Sequence, residues 1–103
     1  MSALQLKNGH LWLTAELTAR AFPGEEQVRL VYYPERHELL VAGKSDIFFE
    51  KIHKTSWLVL KDRNRQGDKT LAVRDLLLDH DLDLDDRLVA YELQPTGILC
   101  VTL

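Results

Sequence analysis

Short apolar runs, each broken off by residues that favour a turn, constrain this chain more than any other feature of its sequence. Leu4, Leu6, Leu11 and Leu13 alternate with polar or amphipathic neighbours on either side of Asn8-Gly9, a pair whose easy positive φ suits a tight hairpin. VRLVYY and ELLVA, joined by the turn-like PERH, repeat that arrangement and stop at Gly43. Between the two hairpins TAELTARAF is rich in helix formers and sets Leu17 and Ala21 one turn apart, and Pro23-Gly24 then ends the helix. The later part of the chain reads in the same order. WLVLK is a strand by its β-branched and aromatic content, DRNRQGDK is a polar turn and TLAV is the return strand. RDLLLDH predicts a second short helix, and RLVAYEL with ILCVTL predicts a last hairpin across Gln94 to Gly97. SDIFFEKIHKTS, with Ser45 or Asp46 as N-cap, predicts a linker helix near residues 46–55. The expected fold class is α+β and mainly β, in one domain spanning residues 1–103.

The repeated order can be tested by sliding the chain along itself. An offset of 58 pairs Gly9 with Gly67, Leu13 with Leu71, Arg29 with Arg87, Leu30 with Leu88, Val31 with Val89 and Tyr33 with Tyr91. RLVYY then lies on RLVAY. One residue of slippage also brings Glu16-Leu17 onto Asp75-Leu76 and residues 39–41 onto Ile98-Leu99-Cys100. The expectation is a pseudo-repeat, residues 3–43 and 57–103, of a hairpin-helix-hairpin unit.

Each half, from LQLKNGHLWLTAEL or VLKDRNRQGDKTLAVRDL onward, resembles the swapped-hairpin pattern of the AbrB, MazE and MraZ proteins. There a strand enters a glycine turn, a second strand leads into a short helix bearing an acidic residue followed by Leu, and a terminal hairpin completes the unit. The MraZ branch carries two such units in one chain, and the two halves here are similar to that arrangement. The resemblance implies a small barrel of interlocked units, a DNA-binding transcriptional regulator, and assembly into a homo-oligomer. It departs from the family where proline commonly precedes the helix, since this chain has Thr14 and Ala72.

Charge locates the candidate site. Residues 1–43 carry four Lys/Arg against five Asp/Glu, residues 44–74 carry eight against four, and residues 75–103 carry one against seven, within a formal net charge of -3. Lys61, Arg63, Arg65, Lys69 and Arg74 are therefore the expected phosphate-binding residues for double-stranded DNA, with the acidic segment facing away. The alternative function is a protein-protein interaction module without nucleic-acid binding. Its contact surfaces would be Phe48-Phe49, which cannot both point to one side, and the acidic run.

Other chemistry finds little support in the spacing. Asp79, Asp81, Asp83, Asp85 and Asp86 fail the calcium-loop pattern, because Leu84 stands where glycine is required and Ala90 where a closing Glu is required. Leu82 and Leu84 read instead as apolar anchors between solvated aspartates. His10, His37, His53 and His80 show no metal-ligand spacing, and no nucleophile motif accompanies them. Neither a catalytic residue, a metal nor a cofactor is expected. The lone Cys100 lies in an apolar run and reads as a buried, inert thiol. The start, MSALQLKNG, lacks the features of a signal peptide and no run is long enough to span a membrane, which predicts a cytoplasmic protein without membrane contact.

Overall fold

The computed structural model describes residues 2–44, 46, 49, 56–62 and 67–103. In chain order its elements are β1 (Ser2–Lys7), β2 (His10–Leu13), α1 (Ala15–Ala21), β3 (Gln27–Tyr33), β4 (Glu38–Gly43), β5 (Ser56–Val59), β6 (Lys61–Asp62), β7 (Lys69–Ala72), α2 (Arg74–Asp79), β8 (Arg87–Leu93) and β9 (Leu99–Thr102). Three of the expected hairpins (β1–β2, β3–β4 and β8–β9) and both short helices are present, whereas WLVLK does not return on TLAV as a whole: Trp57–Val59 pair with β3 and only Lys61 and Asp62 pair with β7. The linker helix near residues 46–55 lies outside the described residues except at Asp46 and Phe49, where Asp46 Oδ1 accepts the Phe49 N–H at 3.0 Å.

All pairings are antiparallel, and the sheet runs β5-β3-β4-β9-β8-β1-β2-β7-β6. Its two end strands are one stretch of chain. Ser56–Val59 pair with β3, Leu60 is buried and donates its N–H to the Glu26 carbonyl at 2.9 Å, and Lys61 and Asp62 then pair with β7. This one stretch thus joins the two ends of the sheet. Counting this stretch once leaves eight strands in a nearly closed barrel, which hides most of the edges that an open sheet would expose.

The pairings exchange strands between the two parts of the chain. β1 pairs with β2 and, along its other edge, with β8; the β5–β6 stretch pairs with β7 and, along its other edge, with β3. β2 lies against β7 and β4 against β9. Alternation of apolar and polar residues fills the interior, since every second residue of a strand faces the same way. Leu4, Leu6, Leu11, Leu13, Leu39, Leu71, Leu99 and Val101 are buried in a single core, which α1 covers with Leu17 and Ala21 and α2 with Leu77.

The turns hold the helices. Asn8 and Gly9 both have positive φ (52° and 75°), as a two-residue hairpin turn of this hand requires. The Gly9 carbonyl accepts the Val73 N–H at 2.9 Å just before α2, and a Cβ on Gly9 would meet the Arg74 Cβ at 2.7 Å, so glycine permits the close approach. Gly67 (φ 95°) lies correspondingly against Ala15 at the start of α1, where Asp68 Oδ1 accepts the Ala15 N–H at 2.8 Å. Thr14 completes that helix start by accepting the Leu17 N–H through Oγ1.

The two tyrosine-bearing strands do not correspond in facing at the offset of 58. Overlaying RLVYY on RLVAY equates Leu30 with Leu88, but Leu30 faces the core at 4% exposure and Leu88 faces outward at 71%. A shift of one residue exchanges the two faces of a strand, so these segments match at four of five residues in identity and not in facing. Leu30→Ala should therefore cost about 2–5 kcal/mol of stability, whereas Leu88→Ala should change it by no more than about 0.5 kcal/mol. Urea unfolding of the two variants checks this, and equal losses would contradict the assigned facing.

Candidate nucleic-acid interface

Of the expected phosphate-binding residues that the structure describes, Lys61, Lys69 and Arg74, the two lysines do not share one surface. Lys61 pairs with Thr70, which pairs with Trp12, which pairs with Gln5, so these four residues form one row across β6, β7, β2 and β1. Leu88 extends the row onto β8. Their neighbours along each strand are buried, as Leu60, Leu71, Leu11, Leu13, Leu4 and Leu6 show, so the row faces outward. Lys69 differs. It alternates with Thr70 and stands opposite the buried Leu13, which sets it on the other side of β7 from Lys61. There it lines a groove with Phe22, Glu25, Glu26 and Gly67 beside α1. Arg74 is exposed at the first residue of α2, against the tip of the first hairpin, and Arg63 and Arg65 lie outside the described residues.

What the strand register gathers instead is a different set. Lys7, His10 and Ala72 form the next outward row, beside Gln5, Trp12 and Thr70. Lys7, His10 and Lys61 thus stand on one face of β1, β2, β7 and β6, with Arg74 at its margin. Among the described outward positions of these four strands there is no carboxylate. Lys7 and His10 flank the first hairpin turn in the sequence, but their adjacency to Lys61 depends on β2 meeting β7, which no local pattern announces.

The acidic segment does not turn away from this surface. Asp86 Oδ1 accepts the Asn8 backbone N–H at 3.0 Å, which brings the end of the run to the first hairpin's tip. The rest of the run has structural work. Asp81, at φ 57°, stops α2: its N–H reaches the Leu78 carbonyl at 3.2 Å and the Leu82 N–H reaches Leu77 at 2.8 Å, a left-handed closure of the helix. Asp83 Oδ1 accepts the Asp85 N–H, and Arg87 donates to the Asp83 and Asp85 carbonyls. Leu82 and Leu84 pack against the core while the aspartates stay exposed, as the alternation implied. Among the described residues no group of His, Cys, Asp and Glu is arranged to hold a metal ion.

The remaining candidates fall elsewhere. Phe49 is buried at 2% exposure and offers no contact surface, and Phe48 lies outside the described residues. His80 sits against Tyr32, ring centroids 4.6 Å apart, at the edge of a groove of about 370 Å³ lined by Leu30, Leu58, Leu76, Asp75 and Asp79. Burial first, then the carboxylates of Glu38 and Glu92, push the Cys100 thiol above its ordinary range, against the pull of Arg36. Thiolate is the nucleophilic form, so alkylation of Cys100 by iodoacetamide at pH 8 should run severalfold slower than in the urea-unfolded chain and should accelerate as pH rises. Equal rates in the two states would show that the site leaves the thiol unperturbed.

Among the described residues no helix is long and apolar enough to cross a membrane. No protein-family model, curated protein or solved structure matches this chain.

Proposed function

We propose that this chain is a DNA-binding regulator of swapped-hairpin type, in which two copies of one unit interlock and the outer face of β1, β2, β7 and β6 grips DNA phosphates. Strand register supports the duplication. Leu4 stands opposite Val89 and Leu58 opposite Val28, so exchanging the two halves carries one contact onto the other. The same exchange relates Lys7 opposite His10 to Lys61 opposite Thr70. Between β4 and β9 it carries Leu39 to Leu99 and Val41 to Val101, about the central pair Leu40 and Cys100. The relation holds although the loop between β6 and β7 is longer than the Asn8-Gly9 turn. It also differs from the uniform offset of 58, because unequal loops shift the correspondence from strand to strand.

The observation that carries the functional reading is the pair of lysines, Lys7 and Lys61, that strand register sets on that face, with Arg74 at its edge and no carboxylate among its described outward positions. His10 stands beside Lys7 on the same face, and Asp86 and Asp68 accept the Asn8 and Ala15 N–H groups at the two hairpin turns. Cations held on rigid strands neutralise backbone phosphates and release condensed counterions, which gives affinity without requiring a base-reading groove. Lys69 is withdrawn from the phosphate set because of its facing, while Lys61 and Arg74 remain and Lys7 and His10 join them. Arg63 and Arg65 follow β6 directly in the chain and stay in the proposal on sequence alone. The alternative of a protein-interaction module loses one of its supports with the burial of Phe49.

Fluorescence anisotropy with one labelled DNA sequence, offered both as duplex and as its separated strand, tests the reading. At least one form should bind at low salt and weaken by an order of magnitude or more as salt rises from about 50 to 200 mM. Lys7→Glu with Lys61→Glu should abolish most of that binding, whereas Lys69→Glu should change it far less. No binding of either form at low salt would overturn the assignment.

A further inference from the structure

The chain has two tryptophans, and neither is in the core. Trp57 is 55% exposed, and Trp12 is a half-buried member of the outward row. Each ring has a lysine ammonium above it, Lys7 Nζ at 5.0 Å from the Trp12 centroid and Lys44 Nζ at 5.9 Å from that of Trp57. Arg29, on β3, stands directly opposite Trp57, and its Nε donates to the Lys44 carbonyl at 3.3 Å. Lys61 links the two sites. It shares a row with Trp12 through Thr70, and Trp57, Val59 and Lys61 take alternate positions along the stretch that runs through Leu60.

A large aromatic left on the outside gives up the hydrophobic gain of burial, and a lysine over its face at an exposed site adds only a weak attraction that does not offset the loss. A flat apolar ring with cations around it matches the chemistry of a nucleotide, which presents an apolar π-face next to a phosphate. Duplex DNA keeps those faces stacked inside the helix. A single strand offers them. On this basis we infer that the face described above takes single-stranded DNA, with bases stacking on Trp12 and Trp57 and intervening phosphates at Lys7, Lys44 and Lys61. The inference rests on the DNA-binding reading and adds to it the form of DNA that is preferred.

An oligothymidylate of about 16 nucleotides, long enough for one small barrel, and a duplex of equal length separate the outcomes when titrated at low salt while tryptophan emission is recorded. The single strand should bind at least tenfold tighter than the duplex and quench the emission. Trp57→Ala should weaken single-strand binding about tenfold, Trp57→Phe should restore most of it, and duplex binding should be the same in both variants. Thermal melts of the two variants check that folding is intact. Duplex binding equal to or tighter than single-strand binding would overturn this inference and leave DNA binding standing, as would single-strand binding without quenching or without loss in Trp57→Ala. Failure of both ligands to bind would remove the DNA-binding reading as well.

Discussion

The change of pairing partner at Leu60 is the constraint on which the barrel rests. One buried leucine, with its N–H fixed to the Glu26 carbonyl, lets a single stretch of chain serve β3 before it and β7 after it. Were the stretch to pair with β3 alone, the sheet would be open, with the stretch itself at one edge and the short β7 at the other. Closure satisfies most of those backbone groups and allows side chains from all around the wall to meet in one interior. The two short helices then have little to build for themselves. Each is too short to persist alone, and each starts against the hairpin turn of the other half, Gly9 beside Arg74 and Gly67 beside Ala15.

This cross-contact explains why two glycines that the sequence set side by side do occupy comparable places, although the strands following them do not align at the same spacing. A glycine is selected by positive φ and by close approach, both local demands that survive a change in loop length. A strand is selected by facing, which reverses with every residue. Leu30 and Leu88 share an identity and a neighbourhood in sequence, yet one lies inside the barrel and the other outside. Residue identity was thus a good guide to the turns and a poor one to the strand register.

The charged surface shows the same division. A sequence segment rich in cations is not a surface rich in cations, because alternate residues of a strand leave on opposite sides. Lys61 and Lys69 come from one basic segment and face apart; Lys7 and Lys61 come from distant segments and face together. The acidic run was separable from the basic segment along the chain, but Asp86 returns to the Asn8 turn because β8 pairs with β1. Much of its negative charge marks a helix stop and a connection whose backbone groups the aspartates help to satisfy.

Local chemistry therefore determined, from the sequence by itself, three of the hairpins, both helices and their ends, the turn glycines and the inward anchoring of Leu82 and Leu84. Each depends on residues a few positions apart, through periodicity, capping and allowed φ. Tertiary structure alone decided the closure at Leu60, the exchange of strands between the halves, the outward placing of Trp12 and Trp57, and the company that Lys61 keeps. Those depend on which strand lies beside which and in what register, and that choice is made by the fit of the whole apolar interior, to which residues from one end of the chain to the other contribute at once.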